Sequence, residues 1–363
     1  MTLVVNKILN ESDFESYLKI VESFDVINPF YKILGSNLND VINDKLRYFT
    51  FLSDSEEVLI LMPFILRKVP YKDQSETYFD VISPYGYSGP LFNEDMSRGY
   101  LIEFWDEVDA WYKQNNVISE FIRFSLDHNH QFYSGVLVPT LINVKGELIE
   151  KEAQWNNFKS KVRNNYRKSV SNNLIAKFVS KDITNYEIET FYDIYIKTMS
   201  RIGADTDYFY DIDYFKNIIK LSKENFLIAF VFKDDVAIST ELILISGNTL
   251  YSYLGGTLAD YFDLRPNDFL KIEVMKWARA NNYKYYLLGG GRVDYDSLYH
   301  YKKSFFPNDN DIIYYTGRKI VNKKIYKRLV KIMNANIILD DSNIEIKQEK
   351  IKFFPAYRIR NKQ

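Results

Sequence analysis

Between Gly255 and Leu270 the sequence reads GGTLADYFDLRPNDFL, a set of residue types suited to holding an anion. Arg265 supplies a guanidinium, and Pro266 has a φ suited to the first position of a helix. The amides of the turn that follows, near Asp268, Phe269 and Leu270, have no intrahelical acceptor. Fixed amide donors, the positive end of a helix and a guanidinium together would make a phosphate site from Arg265, Pro266, Asn267, Asp268, Phe269 and Leu270. The competing reading pairs Arg265 with Asp260 or Asp263. Gly289-Gly290-Gly291 is a weaker phosphate signal, because Arg292–Asp296 follows it where a dinucleotide fingerprint would open a helix. The chain has no G-K-S or G-K-T loop, no H-E-x-x-H, no G-x-S-x-G and no EF-hand loop. It has no Cys, which removes disulfides, thiolate catalysis and iron–sulfur clusters. Its three histidines, His128, His130 and His300, show no ligand spacing, so no metal is expected.

The elements that would carry this loop are written twice. Leu101, Phe104, Trp105, Val108, Trp111 and Tyr112 recur at helical spacing, Asn115-Asn116 interrupts, and a strand-like run starts at Val117. Downstream, Leu270, Val274, Trp277 and Ala278 form the stripe, Asn281-Asn282 interrupts, and Tyr283–Leu288 reads as a strand. Upstream of each helix lie a hairpin and a third strand: Arg47–Leu52, Val58–Arg67 and Tyr78–Ile82 in the first copy, Phe226–Phe232, Val236–Ile245 and Thr249–Leu254 in the second. Hairpin, strand, helix, strand, repeated, predicts an α/β (α+β) protein with mixed, mainly antiparallel sheets flanked by helices. Helices over roughly Trp155–Asn172 and Tyr186–Ile202 precede the second sheet, and the linker is expected near Lys145–Glu152. The expected domains are 1–148, 149–335 and a C-terminal extension at 336–363.

Four segments carry a resemblance: SPYGYSGP at Ser83–Pro90, FYDIYIKTMSRIGADTDY at Phe191–Tyr208, Leu264–Ala278, and SLYHYKKSF at Ser297–Phe305. Across roughly residues 45–310 they resemble the tandem GNAT proteins related to FemX and FemAB. The resemblance implies two tandem GNAT-like domains, the second binding acyl-CoA and the cleft between them admitting an amine. It puts the coenzyme A pyrophosphate at the Arg265 loop, which departs from the family's Gly-rich pattern. It puts the pantetheine arm in a splay between Tyr251–Gly255 and Tyr285–Gly289, with Tyr253, Leu254, Gly255 and Gly256 in contact. No long helical hairpin interrupts the chain, and the layout is closest to sugar N-acyltransferases that acylate a nucleotide-linked amino sugar, such as a dTDP-amino deoxysugar, for O-antigen or capsule. The alternatives are a FemX-like ligase using aminoacyl-tRNA on a cell-wall precursor, and a noncatalytic cleft-binding module.

Acylation of an amine by direct attack on a thioester needs a proton acceptor and donors for the developing oxyanion. Glu241, inside the apolar run Ala237–Ile245, is the first candidate base; the other reading of an alternating strand turns it to solvent. His300 is the second candidate. Lys302 and Lys303 match an F-K-K-like motif of the resembled family and would stabilise an oxyanion or a substrate phosphate, with Tyr301 in place of Phe. Arg201, Asp205, Tyr208 and the pair Arg163 and Arg167 would hold a sugar-nucleotide diphosphate, and Asp80, Tyr85 and Tyr87 would face a sugar or base.

Composition bounds the remaining classes. The 363 residues suffice for two domains. With 47 basic and 48 acidic side chains the net charge is -1, which argues against a dedicated nucleic-acid coat. The basic run Lys323, Lys324, Lys327, Arg328 and Lys331 reads as a solvated helix face, and the 30 Tyr and 26 Phe as compositional bias. The amino terminus shows no secretion-signal pattern, and the longest apolar run, Val58–Leu66, is far short of the ~18 residues of a membrane span, so a soluble cytoplasmic protein is expected.

Overall fold

The computed structural model describes residues 1–25, 28–34, 45–69, 77–221, 225–333 and 353–359. The chain opens with β1 (Thr2–Lys7), α1 (Glu11–Val21), β2 (Leu46–Leu52), β3 (Val58–Lys68), β4 (Phe79–Ile82), α2 (Arg98–Gln114), β5 (Val117–Arg123) and β6 (Val136–Glu147). It continues through α3 (Lys151–Asn157), α4 (Ser160–Ser171), β7 (Ile175–Val179), α5 (Asn185–Ile202), α6 (Ile212–Leu221), β8 (Phe226–Lys233), β9 (Val236–Ser246) and β10 (Thr249–Thr257). Next come α7 (Pro266–Ala280), β11 (Tyr285–Gly289), α8 (Ser297–Lys303), β12 (Asp311–Ile320) and α9 (Lys323–Met333).

These elements form two compact units, unit 1 of Met1–Thr140 with the described residues from Tyr314 onward, and unit 2 of Leu141–Ile313. In unit 1 the strand order is β1-β2-β3-β4-β5-β12, antiparallel except at β4–β5. In unit 2 it is β6-β11-β10-β9-β8-β7, antiparallel except at β10–β11. Each unit therefore has a mixed, mainly antiparallel sheet flanked by helices, the predicted fold class.

The repeated helices show why the sequence repeats. α2 buries Leu101, Phe104, Trp105, Val108 and Tyr112 on one stripe, and α7 buries Phe269, Leu270, Ile272, Val274, Met275 and Ala278. The first Asn of each pair takes the C-cap, its side-chain amide donating to the Trp carbonyl four residues back: Asn115 to Trp111 at 2.9 Å, Asn281 to Trp277 at 2.8 Å. The second Asn turns left-handed, Asn116 at φ 53° and Asn282 at φ 63°, a conformation Asn tolerates better than most residues. W-x-x-x-N-N is thus a helix stop written into both units.

Residues 145–147 of the expected linker belong to β6, which pairs with β11 from Val144 to Glu147, so the segment is partly sheet. The helix expected over Trp155–Asn172 is two helices, α3 and α4, separated at Phe158-Lys159. The compact units are not consecutive stretches of chain, because β12 returns to pair with β5 and α9 packs Tyr326, Leu329 and Val330 into a unit 1 core with Phe354, Ala356 and Tyr357. Most of the expected extension at 336–363 lies outside the described residues. Among the described residues no helix is long and apolar enough to cross a membrane.

Candidate active site

In unit 2 the β10–β11 seam opens. Parallel pairing covers Thr249–Tyr251 against Tyr285–Leu287 and then ends. β10 runs on to Thr257 paired with β9 only, after a register shift between Ser252 and Leu254 that is the mark of a β-bulge. The backbone of Tyr253, Leu254, Gly255 and Gly256 therefore borders an edge without a strand partner on the β11 side. Gly256 is required there, since a Cβ would come within 2.4 Å of Thr198 Oγ1 and 2.8 Å of the Ile194 carbonyl on α5.

Beyond this edge, α7 starts at Pro266, with Arg265 as its N-cap in the left-handed region at φ 61°, ψ 43°, and no side-chain cap bond at that position. A non-glycine residue there is strained, and the surroundings hold it: Ser169 Oγ on α4 lies 2.9 and 3.0 Å from the carbonyls of Leu264 and Arg265. Asn267 Oδ1 accepts from Thr257 and, at 3.2 Å, from Ser239, tying the loop to β9 and β10. A cavity of about 610 Å³ lies against this helix start, lined by Lys159, Lys161, Asn165, Arg265, Pro266, Asn267, Asp268, His300 and Tyr301 among others. Asp268 is buried and accepts from Asn165 at 3.2 Å. Burial pushes its carboxyl above the ordinary Asp value, opposed by the Asn165 bond and the Arg265 charge. Three cations around an uncapped helix start suit a phosphate.

Glu241 is 3% exposed, so the solvent-facing reading of β9 fails. Lys271 on α7 donates to its Oε1 at 2.6 Å and Tyr286 on β11 to its Oε2 at 2.8 Å, so both carboxylate oxygens are engaged. Lys271 also reaches Ser252 at 3.1 Å and Tyr286 at 3.2 Å. Lys302, on α8, donates to the Gly290 carbonyl at 2.6 Å, and a Cβ at Gly289 would sit 3.6 Å from its Nζ and 3.7 Å from Asn143 Oδ1. Its ammonium therefore lies at the end of the open seam. Burial pushes it down to about 8, the Lys271 charge adding to the fall while Glu241 and Asp296 oppose it. The buried Tyr301 hydroxyl has no hydrogen-bond partner among the described residues, and burial raises it well above the ordinary Tyr value.

Of the residues singled out from sequence, Arg265, Pro266, Asn267, Asp268 and His300 share this cavity. Phe269 and Leu270 sit in the hydrophobic core of unit 2 behind them. Tyr253 bonds Tyr214 through their hydroxyls. Lys303 is held by Asp311 at 2.9 Å and by the Asp309 carbonyl. Arg163 closes the α3–α4 break by donating to the carbonyls of Asn156 and Phe158, and Arg167 lies over the Trp155 ring, 5.4 Å from its centre. Arg201 stacks over Phe262 at 4.7 Å, Asp205 is the N-cap of the short turn Thr206–Tyr208, and the Tyr208 carbonyl accepts from Tyr195.

In unit 1, Asp80 is fully buried and accepts from Arg67 at 2.8 Å, Tyr357 at 3.0 Å and Arg358, so its oxygens are consumed inside the unit. Tyr85 is 52% exposed, whereas Tyr87 packs edge-on against Phe30 and Tyr314.

Sequence reasoning missed Lys159, Lys161, Asn165 and Ser169 by choosing the wrong face of α4. Lys161, Asn165 and Ser169 share the i, i+4 spacing of Arg163 and Arg167 but are offset from them by two residues, about 200° round the helix. It also missed Lys271, whose place opposite Glu241 depends on pairing between distant segments.

Residues 157–303 match the acetyltransferase (GNAT) domain family. No curated protein matches the chain. Among solved structures, FemX superposes with a TM-score of 0.63 at 15% identity, covering 87% of this chain and 98% of that one. The C-terminal domain of a putative lysylphosphatidylglycerol synthetase from Agrobacterium fabrum gives 0.55 at 12% identity, over 85% and 92%. L-PGS from Bacillus licheniformis gives 0.55 at 10% identity, over 95% and 98%. At these identities the likeness establishes the fold. The match and the superpositions support a GNAT-like acyltransferase fold.

Proposed function

We propose that this chain is an N-acyltransferase that moves an acyl group from acyl-CoA to the amine of a nucleotide-linked amino sugar. The observation that carries the reading is the uncapped start of α7 beneath Lys159, Lys161 and Arg265, next to a β10–β11 seam that parts after three pairs. A pyrophosphate fits the first feature through charge-assisted bonds, and an extended pantetheine arm fits the second by supplying the hydrogen bonds that a missing strand would. With the donor so placed, an incoming amine attacks the thioester carbon at the C-terminal end of β11. Its acceptor class rests on the layout, which resembles that of sugar N-acyltransferases in carrying no long helical hairpin in the sequence.

Calorimetry with CoA and desulfo-CoA tests the donor. Saturable binding near micromolar affinity, about -8 kcal/mol, is expected. Arg265→Ala is expected to weaken it about ten- to hundredfold while the chain stays folded, the range for losing a hydrogen bond to a charged group. Unchanged affinity in this variant would remove the phosphate from the α7 start. Thiol release from acetyl-CoA across a panel of nucleotide-linked amino sugars then tests the acceptor.

A second reading, an aminoacyl-tRNA donor, draws on α9, whose eleven residues include Lys323, Lys324, Lys327, Arg328 and Lys331. Specific, steeply salt-dependent binding of charged tRNA together with no CoA binding would select it.

A further inference from the structure

We propose that Lys302 is the proton acceptor of the reaction, its neutral amine poised at the open end of the β10–β11 seam, and that Glu241 and Lys271 are positioning residues that set its charge. The role rests on the acyl-transfer reading above, because it needs a thioester in that seam.

Geometry excludes the more obvious base. Glu241 is closed on both oxygens, by Lys271 at 2.6 Å and Tyr286 at 2.8 Å, and is 3% exposed. Taking a proton there would break a buried ion pair, a change that costs several kcal/mol. His300 is exposed on the cavity wall beside the α7 start, where the phosphates would lie. Lys302 instead meets the end of β11: its Nζ donates to the Gly290 carbonyl at 2.6 Å and would lie 3.6 Å from a Cβ placed on Gly289. A neutral amine has an N–H for that carbonyl and a lone pair that can accept a proton.

The charged groups acting on Lys302 come from three elements: Lys271 of α7, Glu241 of β9 and Asp296 at the start of α8. Burial and the neighbouring Lys271 ammonium favour the neutral amine, and the two carboxylates favour the charged one, which leaves Lys302 close to 8 where an ordinary lysine sits near 10.4. In the step itself the acceptor nitrogen's lone pair forms the C–N bond to the thioester carbon, and Lys302 takes a proton from that nitrogen. The C–S bond then breaks with its electron pair on sulfur. The Lys302 ammonium returns the same proton to the thiolate, an exchange between groups of nearly equal affinity, since a free thiol titrates near 8.5. Amine and thioester become amide and thiol, with no other reactant consumed.

The test begins without substrate. The full chain is labelled with trace acetic anhydride from pH 6 to 11, and the Lys302 peptide is quantified by mass spectrometry. Its labelling is expected to rise through an inflection near 8. The inflection should move up in Lys271→Met, which removes the neighbouring cation, and down in Glu241→Gln, which removes the opposing anion. An inflection with the bulk lysines near 10.4 overturns the proposal. With acetyl-CoA and an accepted amine, turnover should climb about tenfold per pH unit below that inflection and level above it. Lys302→Arg should lose about 10²-fold or more and the pH step with it, the usual size of a general-base contribution. Glu241→Gln should shift that limb to lower pH. Full activity in Lys302→Arg overturns the base role. A low inflection in a chain that binds no CoA would instead sink the acyl-donor reading.

Discussion

The two parallel seams of this protein begin alike and end differently. In unit 1, β4 pairs with β5 from Phe79 to Ile82, and hydrogen bonding continues past the strand end: Ser83 N–H to the Phe121 carbonyl, Arg123 N–H to Ser83 Oγ, Ser88 N–H to the Arg123 carbonyl, each at 2.9 Å. In unit 2 the pairing stops at Tyr251 and Leu287. The helix starts diverge in the same sense. Ser97 caps α2, its hydroxyl accepting from the Tyr100 amide at 3.4 Å, whereas no side chain does this for α7. Beside the α2 start is a cavity of about 580 Å³ whose charged lining is Lys19, Glu57 and Asp95; at α7 the cavity is of similar volume but lined by Lys159, Lys161 and Arg265 with a single carboxylate, Asp268. One arrangement of elements thus occurs twice among the described residues, with a side-chain cap and a continued seam in unit 1 and neither in unit 2. Where local hydrogen bonds are complete, there is nothing for a ligand to complete.

The buried ion clusters sharpen the contrast. In unit 1, Glu120 is fully buried and accepts from Tyr133 at 2.8 Å and from Tyr112, while Lys319 bonds Asp109 and Ser134 beneath the rings of Trp105, Tyr112 and Tyr133. In unit 2 the Glu241–Lys271 pair has a further lysine, Lys302, at its margin. The first cluster reads as architecture, the second as a means of setting a neighbouring charge. Lys319→Met is the harshest test of that division. Losing one partner of a buried pair is expected to cost about 3–5 kcal/mol in denaturant unfolding. The fraction still folded should bind CoA with unaltered affinity. A matching loss of CoA affinity would break the comparison by giving unit 1 a share in the donor site.

The faces of α4 offer a smaller test. Lys161→Gln should weaken CoA binding about three- to tenfold, the scale of one exposed charge-assisted bond, and should flatten its salt dependence. Arg163→Gln, on the face turned to the α3–α4 break, should leave binding unchanged. Equal losses in the two variants would mean that cationic charge in general, and not the cavity wall, attracts the donor.

Much of the fold was legible because it is local. The apolar stripes of α2 and α7, the Asn pairs that stop them and the hairpin before each are patterns within short windows. Arg265-Pro266 marked the start of α7 for the same reason. What escaped depends on distant segments meeting. Nothing near Lys319 announces that β12 will pair with β5, and nothing near Glu241 shows a lysine thirty residues on closing over it. Asp80 looked functional beside a Gly- and Pro-rich loop, yet its partners Tyr357 and Arg358 come from the far end of the chain.

The smallest expected effect is at Asp268, the one carboxylate in the cationic cavity, and it separates phosphate binding from folding. Burial raises its carboxyl above the ordinary value, so the charged form is disfavoured in the folded chain. Wild-type stability is then complete below the unfolded Asp value of about 3.9 and declines as pH rises through the raised folded value. Asp268→Asn keeps a neutral group of nearly the same shape beside Asn165 and removes that decline. The variant should match wild type in the acid range and be more stable than it at neutral pH. It should also bind CoA about two- to fourfold more tightly there, since the charge removed stands close to the phosphate position and is partly screened. Weaker binding would mean that Asp268 accepts a hydrogen bond from the ligand. The cavity would then be selecting a donor group such as a ribose hydroxyl, and the contrast between the two helix starts would rest on Lys159, Lys161 and Arg265 with a carboxylate as their working partner.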